Sequence, residues 1–294
     1  MNWKERLKRK AVLVADGAWG TELARRGLKA GEAPELWNAD HPEEVEAVAR
    51  AHVAAGADII LTNTFGGNRF KLEKAGLAER TTELNRRGVE LSRRAAADAA
   101  LVFASIGPTG ELIAPLGTKD EKEFLACYRE QIAACVAGGA DGIAIESQLD
   151  LREALLALKA ARAAGKAPVA VCLTFNPGPK GPATIMGTRP EQAAKELDKA
   201  GADIIGSNCG VGIEHMIEVA RLLRSATCRP VWIKPNAGLP VVKDGRTVFA
   251  MGPQEFASFV PKLIDAGADF IGGCCGTTPE HVRAVLAAAS KRRR

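Results

Sequence analysis

The stretch Gly56–Ile60, which reads GADII, decides the fold because close variants of it return three more times along the chain. The copies begin at Gly139, Gly201 and Gly267, so successive copies are 83, 62 and 66 residues apart. Each copy follows an alanine-rich amphipathic stretch and opens a short apolar run, which is the pattern of a helix closed by glycine and followed by a buried strand. The repeat therefore predicts four helix–strand steps.

Four further strand-like runs lie before and between these copies. They are Val12–Ala15, Leu101–Ile106, Val169–Phe175 and Val231–Lys234. Helices are predicted over Glu121–Ala137, Leu151–Ala164, Pro190–Ala200, Glu214–Arg224, Pro253–Ala266 and Pro279–Ser290. Eight alternating strand–helix units favour an α/β fold, a single (β/α)8 TIM barrel, over an open doubly wound sheet.

The chain carries no internal break that would separate two domains. No proline- or serine-rich linker and no block of charge divides it, so we expect one barrel domain over residues 1–294 with flexible tails at 1–10 and 291–294. The net charge is +5, and each tail contributes +4, which leaves −3 for residues 11–290. The basic charge therefore belongs to the tails, which argues against a nucleic-acid-binding face.

Composition also limits the location of the protein. The longest uncharged run, Ala167–Pro179, has 13 residues, fewer than the ~18 that a membrane-spanning helix needs. The first apolar run stops at Asp16, too early for a secretory signal. The seven cysteines are an odd number, which favours a reducing compartment. We expect a cytoplasmic protein that binds neither nucleic acid nor membrane.

Three of the cysteines lie at strand ends. Cys209 ends the sixth predicted strand, and the adjacent pair Cys274 and Cys275 follows the eighth. The carboxyl ends of barrel strands carry the active site, so these residues are expected to converge. Three thiolates favour zinc and leave its fourth position open for a substrate. Two other interpretations of the pair stay open: small buried residues, or a vicinal disulfide, although ~3.8 Å between consecutive Cα atoms is short for a disulfide.

A zinc ion with three cysteinates would carry a net charge of −1. Such an ion is a weak Lewis acid toward carbonyl groups but suits a substrate thiol held as thiolate near pH 7. The cysteines thus point to thiol alkylation. The four histidines lie in helical or loop contexts and are expected to be solvated or to cap helices.

Two carboxylates also lie at strand ends, Asp16 on the first strand and Glu146 on the fourth. They could act as an acid–base pair, hold a ligand ammonium, or cap helices. Gly17 and the segment Thr62–Thr64 offer backbone and hydroxyl donors for a carboxylate. An ammonium site beside a carboxylate site implies an amino acid substrate.

Several strand-end motifs together resemble the homocysteine S-methyltransferase family over roughly residues 10–290. They are DGAWGTE at 16–22, LTNTFG at 61–66, GPTG at 107–110, Asn208-Cys209, PNAG at 235–238 and GCCGTTPEH at 273–281. Within the family, the last motif is most similar to the homocysteine-binding barrel of cobalamin-dependent methionine synthase.

This resemblance implies a zinc-dependent barrel that methylates homocysteine to methionine. Cys209, Cys274 and Cys275 match its zinc ligands, and Asp16 and Glu146 match the residues that hold the homocysteine amino group. The remaining substrate-binding matches are Gly17, Thr62, Asn63, Thr64 and Asn208.

The sequence departs from the family pattern at Ser147-Gln148, at Lys234, where Glu or His is expected, and at the glycine-rich run Gly210–Gly212. These positions flank the expected substrate, so another thiol acceptor stays open. One barrel accounts for the whole sequence, so the methyl donor is expected from outside. A methylated corrinoid (methylcobalamin or a separate corrinoid protein) is favoured, with S-methylmethionine and betaine as alternatives.

Three competing interpretations remain. Lys234 could form a Schiff base in a barrel aldolase, but the cysteines would then be unexplained; a solvated or salt-bridged lysine on the rim is the simpler expectation. The chain could be a zinc-storage or thiol-redox protein rather than an enzyme. Gly272-Gly273 could belong to a late phosphate-binding loop, although the same glycines serve the cysteine turn.

Overall fold

Eight parallel strands close into a barrel at the centre of the structure, a computed structural model that describes residues 2–243 and 246–291. The barrel strands are β1 (Leu13–Val14), β2 (Ile59–Ile60), β3 (Leu101–Ile106), β4 (Gly142–Gln148), β5 (Val169–Leu173), β6 (Ile204–Cys209), β7 (Val231–Pro235) and β10 (Phe270–Ile271). A hairpin of β8 (Pro240–Lys243) and β9 (Arg246–Phe249) precedes the last of them. A parallel bridge from Ala15 to Ile59 joins the first and second strands, so the predicted (β/α)8 TIM barrel is confirmed.

Helices follow the strands and cover the outside of the barrel. They are α1 (Trp3–Leu7), α2 (Gly20–Arg25), α3 (Trp37–Asp40), α4 (Pro42–Ala54), α5 (Arg69–Lys74), α6 (Thr81–Ala96), α7 (Glu121–Ala137), α8 (Leu151–Ala164), α9 (Pro190–Lys199), α10 (Ile213–Ala226), α11 (Pro253–Ser258), α12 (Val260–Asp265) and α13 (Pro279–Ala289). Within the described ranges, none of these helices has the length and apolarity to cross a bilayer.

One predicted helix divides into two. The sequence pattern favours a continuous helix over Pro253–Ala266, whereas α11 ends at Ser258 and α12 begins at Val260. Pro261 lies in the first turn of α12, where a missing N–H costs nothing, but in the interior of one long helix it would remove a hydrogen bond and clash with the preceding turn.

The repeated aspartate explains why the GAD sequence recurs. Each aspartate side chain accepts a hydrogen bond from a backbone N–H of the preceding barrel strand. The four bonds, at 2.8–3.0 Å, join Asp58 to Val14, Asp141 to Val102, Asp203 to Val169 and Asp269 to Val231. The carboxylates also pair with Lys10, Arg93, Arg162 and Arg224, in that order. The repeat therefore ties the strands together in pairs at the amino end of the barrel.

The segment expected as a flexible N-terminal tail is instead packed against the barrel. Its helix α1 begins at a capping box on Asn2, and both Trp3 and Leu7 are buried. The Trp3 ring lies 5.8 Å from that of Phe270, inside the barrel. Burial of these two apolar side chains outweighs the charge of their basic neighbours and holds α1 against the barrel. Of the expected C-terminal tail, residues 292–294 lie outside the described residues.

We expect Trp3→Ala to lower the free energy of unfolding by about 3 kcal/mol, because it removes a large side chain that closes the amino end of the barrel. Urea denaturation of the purified protein measures this change. Trp3→Phe is the matched control, since it keeps a ring against Phe270 and should lose about 1 kcal/mol. An unchanged denaturation midpoint for Trp3→Ala would show that α1 adds nothing to the fold.

Candidate functional site

The structure brings the three strand-end cysteines to one point. Cys209 is the last residue of β6, while Cys274 and Cys275 follow β10. Their three sulfur atoms lie within 4.8 Å of one another. Two sulfurs bound to one zinc ion at about 2.3 Å are at most about 4.6 Å apart, so a small inward shift suffices to place all three around one ion.

Unusual backbone geometry aims these sulfurs. Cys209 has a φ of 64°, a left-handed conformation that is uncommon for a residue with a side chain. The backbone N–H of Cys274 donates to the Pro235 carbonyl at 2.7 Å, and that of Cys275 donates to Asn236 Oδ1 at 3.0 Å. Strained residues of this kind persist where surrounding contacts hold them, often at functional sites.

The side-chain amides of two asparagines contact two of the three cysteine sulfurs. Asn208 Nδ2 lies 3.8 Å from Cys274 Sγ, and Asn236 Nδ2 lies 3.8 Å from Cys209 Sγ. Such N–H donors stabilise thiolates and orient metal ligands. Asn208, predicted to bind substrate, is fully buried and contacts the cysteine cluster; its direct contact with a substrate stays a prediction.

The pKa values of the clustered thiols are shifted mainly by the neighbouring sulfurs, whereas those of other buried cysteines are shifted by burial. The Cys274 and Cys275 thiols donate to the Cys209 sulfur, which lowers the pKa of Cys209 and raises the pKa of both donors. One thiolate is thus stabilised at the expense of the other two. By contrast, burial raises the pKa of Cys127 to about 11 and that of Cys135 to about 12. Three close thiols that cannot all ionise unaided fit a divalent, thiophilic cation such as zinc.

A cavity of about 750 Å³ opens at the carboxyl end of the barrel, and the three cysteines form part of its inner wall. This volume lies in the upper part of the usual range for small-molecule sites, and it exceeds what one small amino acid fills. Trp19, Phe65 and Leu72 also line the wall. The cavity therefore has room for an acceptor next to the cysteines and for part of a second reactant above it.

Lys234 lies inside the barrel between the two strand-end carboxylates. Its Nζ is 3.2 Å from Glu146 Oε2 and 3.8 Å from Asp16 Oδ1. Burial alone would lower the pKa of Lys234, but the two carboxylates outweigh burial and raise it. The side chain is 4% exposed, so the expected solvated or salt-bridged lysine on the rim is a buried, ion-paired one. The side chains along β7 alternate, and Lys234 shares the inward face with Trp232.

Both carboxylates also accept hydrogen bonds from neutral groups. Asp16 Oδ2 accepts from Trp19 Nε1 at 2.8 Å and from the Leu61 backbone N–H at 2.7 Å. Glu146 Oε1 accepts from the Ser105 hydroxyl at 2.6 Å. Glu146 lines the cavity, whereas Asp16 is fully buried. Of the two carboxylates predicted to contact the substrate amino group, Glu146 therefore faces the cavity and Asp16 does not.

The residues predicted to bind a carboxylate fall into two groups. Gly17, Thr62 and Asn63 line the cavity. A Cβ at Gly17 would lie 2.9 Å from Thr277 Oγ1, so only glycine fits between this loop and the cysteine turn. Thr64 is fully buried, and its hydroxyl donates to the Ser105 carbonyl at 2.7 Å, a structural contact. The Asn63 amide is likewise engaged, donating to the Pro34 carbonyl at 2.7 Å.

Two buried polar residues near the cavity were missed. Glu35 lines the outer wall, its carboxylate accepts from the Gly66 N–H at 2.6 Å, and burial raises its pKa. It lies on the short 3-10 helix Pro34–Leu36, away from any strand end, so no sequence signal marked it.

His52, expected to be solvated or to cap a helix, is fully buried in α4 behind Gly17, and burial lowers its pKa. His281 does cap a helix, accepting from the Thr278 N–H at 3.2 Å.

Fold and site define a (β/α)8-barrel protein whose mouth cavity is lined by a three-cysteine cluster beside a buried lysine and carboxylates. The chain belongs to the homocysteine S-methyltransferase family, which it matches over residues 13–289. This match confirms the resemblance to the family and the prediction of an enzyme of the homocysteine S-methyltransferase type.

Individual relatives differ in length and name. The chain is 32% identical over 300 residues to methionine synthase of Mycobacterium leprae (strain TN), covering 95% of this chain and 24% of that protein. It is 30% identical over 304 residues to betaine–homocysteine S-methyltransferase 1 of Mus musculus, covering 96% of this chain and 73% of that protein. The chain thus spans about a quarter of the length of the methionine synthases that it matches. Its fold superposes on the metallated form of the homocysteine methyltransferase MmuM from Escherichia coli with a TM-score of 0.79 and 25% identity, covering 97% and 98% of the two chains.

We expect Cys274→Ser to abolish stoichiometric zinc binding, because a serine hydroxyl is a poor ligand for a thiophilic ion and Cys274 supplies one of the three clustered sulfurs. Metal content after dialysis against zinc, measured by mass spectrometry, reports the loss. Cys228→Ser is the matched control, since Cys228 is exposed and outside the cluster, and it should retain one zinc per chain. Equal zinc content in the two variants would exclude the three-cysteine centre.

Proposed function

We propose that this chain transfers a methyl group to the thiol of homocysteine, giving methionine, and that it holds a zinc ion on Cys209, Cys274 and Cys275. The observation that carries this proposal is the convergence of three cysteine sulfurs, within 4.8 Å of one another, on the wall of a cavity large enough for two reactants. Family membership over residues 13–289 supports homocysteine as the acceptor.

Bound zinc would supply a Lewis acid that lowers the pKa of an acceptor thiol, so that the thiol is ionised near neutral pH. The chain's own residues prepare the site for this chemistry. The amides of Asn208 and Asn236 stabilise thiolate charge at Cys274 and Cys209. The left-handed backbone at Cys209 directs its sulfur toward the other two. The thiol proton leaves to solvent through the open cavity, so the mechanism requires no general base.

The remaining polar residues of the inner wall would orient the acceptor. Gly17 and Thr62 lie on the cavity wall and are the proposed contacts of the acceptor carboxylate. Glu146 lies on the cavity wall where the amino end of the acceptor would be placed. Holding the acceptor sulfur in line with the methyl donor converts a bimolecular reaction into one within the site, which is the main contribution that the barrel makes to the rate.

We propose a methylated corrinoid, carried by a separate protein, as the methyl donor. The supporting observation is the distribution of exposed apolar side chains. Of the ten large ones described, nine lie on loops or on the β8–β9 hairpin that follow barrel strands, at the same end as the cavity: Phe65, Leu112, Leu116, Leu149, Ile185, Met186, Leu239, Val241 and Val248. Exposed apolar residues at the end of the barrel that carries the cavity favour a large partner over a small, fully enclosed donor such as betaine.

Offering each donor in turn tests the proposal. Zinc-loaded protein is given homocysteine with methylcobalamin, S-methylmethionine or betaine, and methionine is measured by mass spectrometry. We expect methylcobalamin to give at least about tenfold more methionine than either small donor, because it matches the open apolar mouth. Cys228→Ser is the control variant, and Cys274→Ser should give only the uncatalysed rate.

The outcomes separate the parts of the proposal. Faster turnover with S-methylmethionine or betaine would overturn the corrinoid donor but leave the acceptor and the metal unchanged. Full activity after complete removal of metal would overturn the zinc. Zinc binding without methionine from any donor would favour the zinc-storage interpretation over an enzyme.

A further inference from the structure

The ammonium group of Lys234 stands where two carboxylates of the acceptor site face each other. Its Nζ lies 3.2 Å from Glu146 Oε2 and 3.8 Å from Asp16 Oδ1, and the lysine side chain is 4% exposed. No described residue donates a hydrogen bond to Asp16 Oδ1, and the Lys234 ammonium is the charged group that this oxygen faces. The chain thus supplies, from its own β7, the cation that this pair of carboxylates would otherwise take from a ligand.

The other oxygens of the pair are engaged without a ligand. Asp16 Oδ2 accepts two hydrogen bonds, from Trp19 and from the Leu61 backbone. Glu146 accepts from the Ser105 hydroxyl through Oε1, and the Asn208 amide lies 3.4 Å from Oε2. A ligand ammonium next to Glu146 would therefore meet an occupied carboxylate and the like charge of Lys234. An acceptor without an ammonium would meet neither obstacle.

We propose that Lys234 fills the amino end of the acceptor site, so that the protein methylates ω-mercaptocarboxylates that lack an α-amino group, such as 4-mercaptobutanoate, at a rate comparable to that with homocysteine. This inference rests on the proposed function, because it concerns the acceptor of the same methyl transfer. It makes Lys234 a specificity-determining residue. The thiol end and the carboxylate end of the acceptor keep the contacts proposed above.

The reaction balances in the same way for both acceptors. The acceptor S–H bond loses its proton to solvent, a new S–CH3 bond forms, and the bond between the methyl group and the corrinoid breaks with its electron pair left on the corrinoid. The product from 4-mercaptobutanoate is 4-(methylthio)butanoate. The amino group takes no part in any of these bond changes, so its absence alters binding alone.

A comparison of the two thiols on the wild-type protein is the first test. Zinc-loaded protein and the donor that supports turnover are mixed with homocysteine or 4-mercaptobutanoate, and kcat/KM is measured for each. We expect the two values to agree within about tenfold. A preference for homocysteine of more than about tenfold, which a charge-assisted hydrogen bond to the amino group would supply, would overturn the inference while leaving the proposed function intact. No turnover with either thiol and any donor would overturn both.

Removal of the lysine is the second test. In Lys234→Ala the carboxylates are free to take a ligand ammonium, so the preference for homocysteine should rise on the order of 10- to 100-fold. Added n-propylammonium, which has the shape of the deleted side chain, should restore methylation of 4-mercaptobutanoate and compete with homocysteine. A purely structural lysine would lower kcat/KM for both acceptors equally, and that outcome would overturn the inference.

Thermal unfolding gives a readout that does not depend on turnover. Homocysteine should raise the melting temperature of zinc-loaded Lys234→Ala more than 4-mercaptobutanoate does, whereas the two thiols should act alike on the wild type. Arg283→Ala is the control, because it removes an equal charge from an exposed arginine paired with Glu280 on the outer helix α13, and it should leave the ratio between the two acceptors unchanged. If Lys234→Ala does not fold, the wild-type comparison still decides.

Discussion

The convergence of Cys209 with Cys274 and Cys275 is the constraint on which the rest of the site depends. These residues come from β6 and from the turn after β10, and β7 lies between those two strands. The sulfurs meet because both loops fold inward over the barrel, held by bonds to Pro235 and Asn236 at the end of β7. A change in the register of any of these three strands would separate the sulfurs. The barrel therefore has to be closed and regular before the cluster can exist.

The inner face of the barrel changes from apolar to charged over a short distance. Inside the barrel, the Trp232 ring packs against the rings of Phe103 and Phe270, with centroid distances of 5.9 Å and 5.5 Å. Two residues farther along β7, the side chain is Lys234, paired with Glu146 and Asp16. Buried charges are costly unless paired, and removal of one partner leaves the other uncompensated. The three charged groups are therefore interdependent, and they form a charged cluster inside the barrel without any ligand.

Much of the fold could be predicted from sequence because its signal is repeated. The GAD copies mark four strand starts, and helices such as Glu121–Ala137 and Leu151–Ala164 agree with the structure residue for residue. The cysteine cluster was also predictable, since strand-end residues of a barrel share one face. The inward direction of Lys234 was not, because barrel strands are buried on both faces and a continuous apolar run does not reveal which side faces the interior. The role of Trp3 was hidden by the five basic residues around it.

X-ray absorption at the zinc edge of the zinc-loaded protein measures the proposed metal centre without reference to activity. Ligation by Cys209, Cys274 and Cys275 predicts three sulfur neighbours at about 2.3 Å from the ion. A spectrum with one sulfur or none, and with nitrogen or oxygen ligands in their place, would contradict the three-cysteine centre and with it the site from which the rest of the function is inferred.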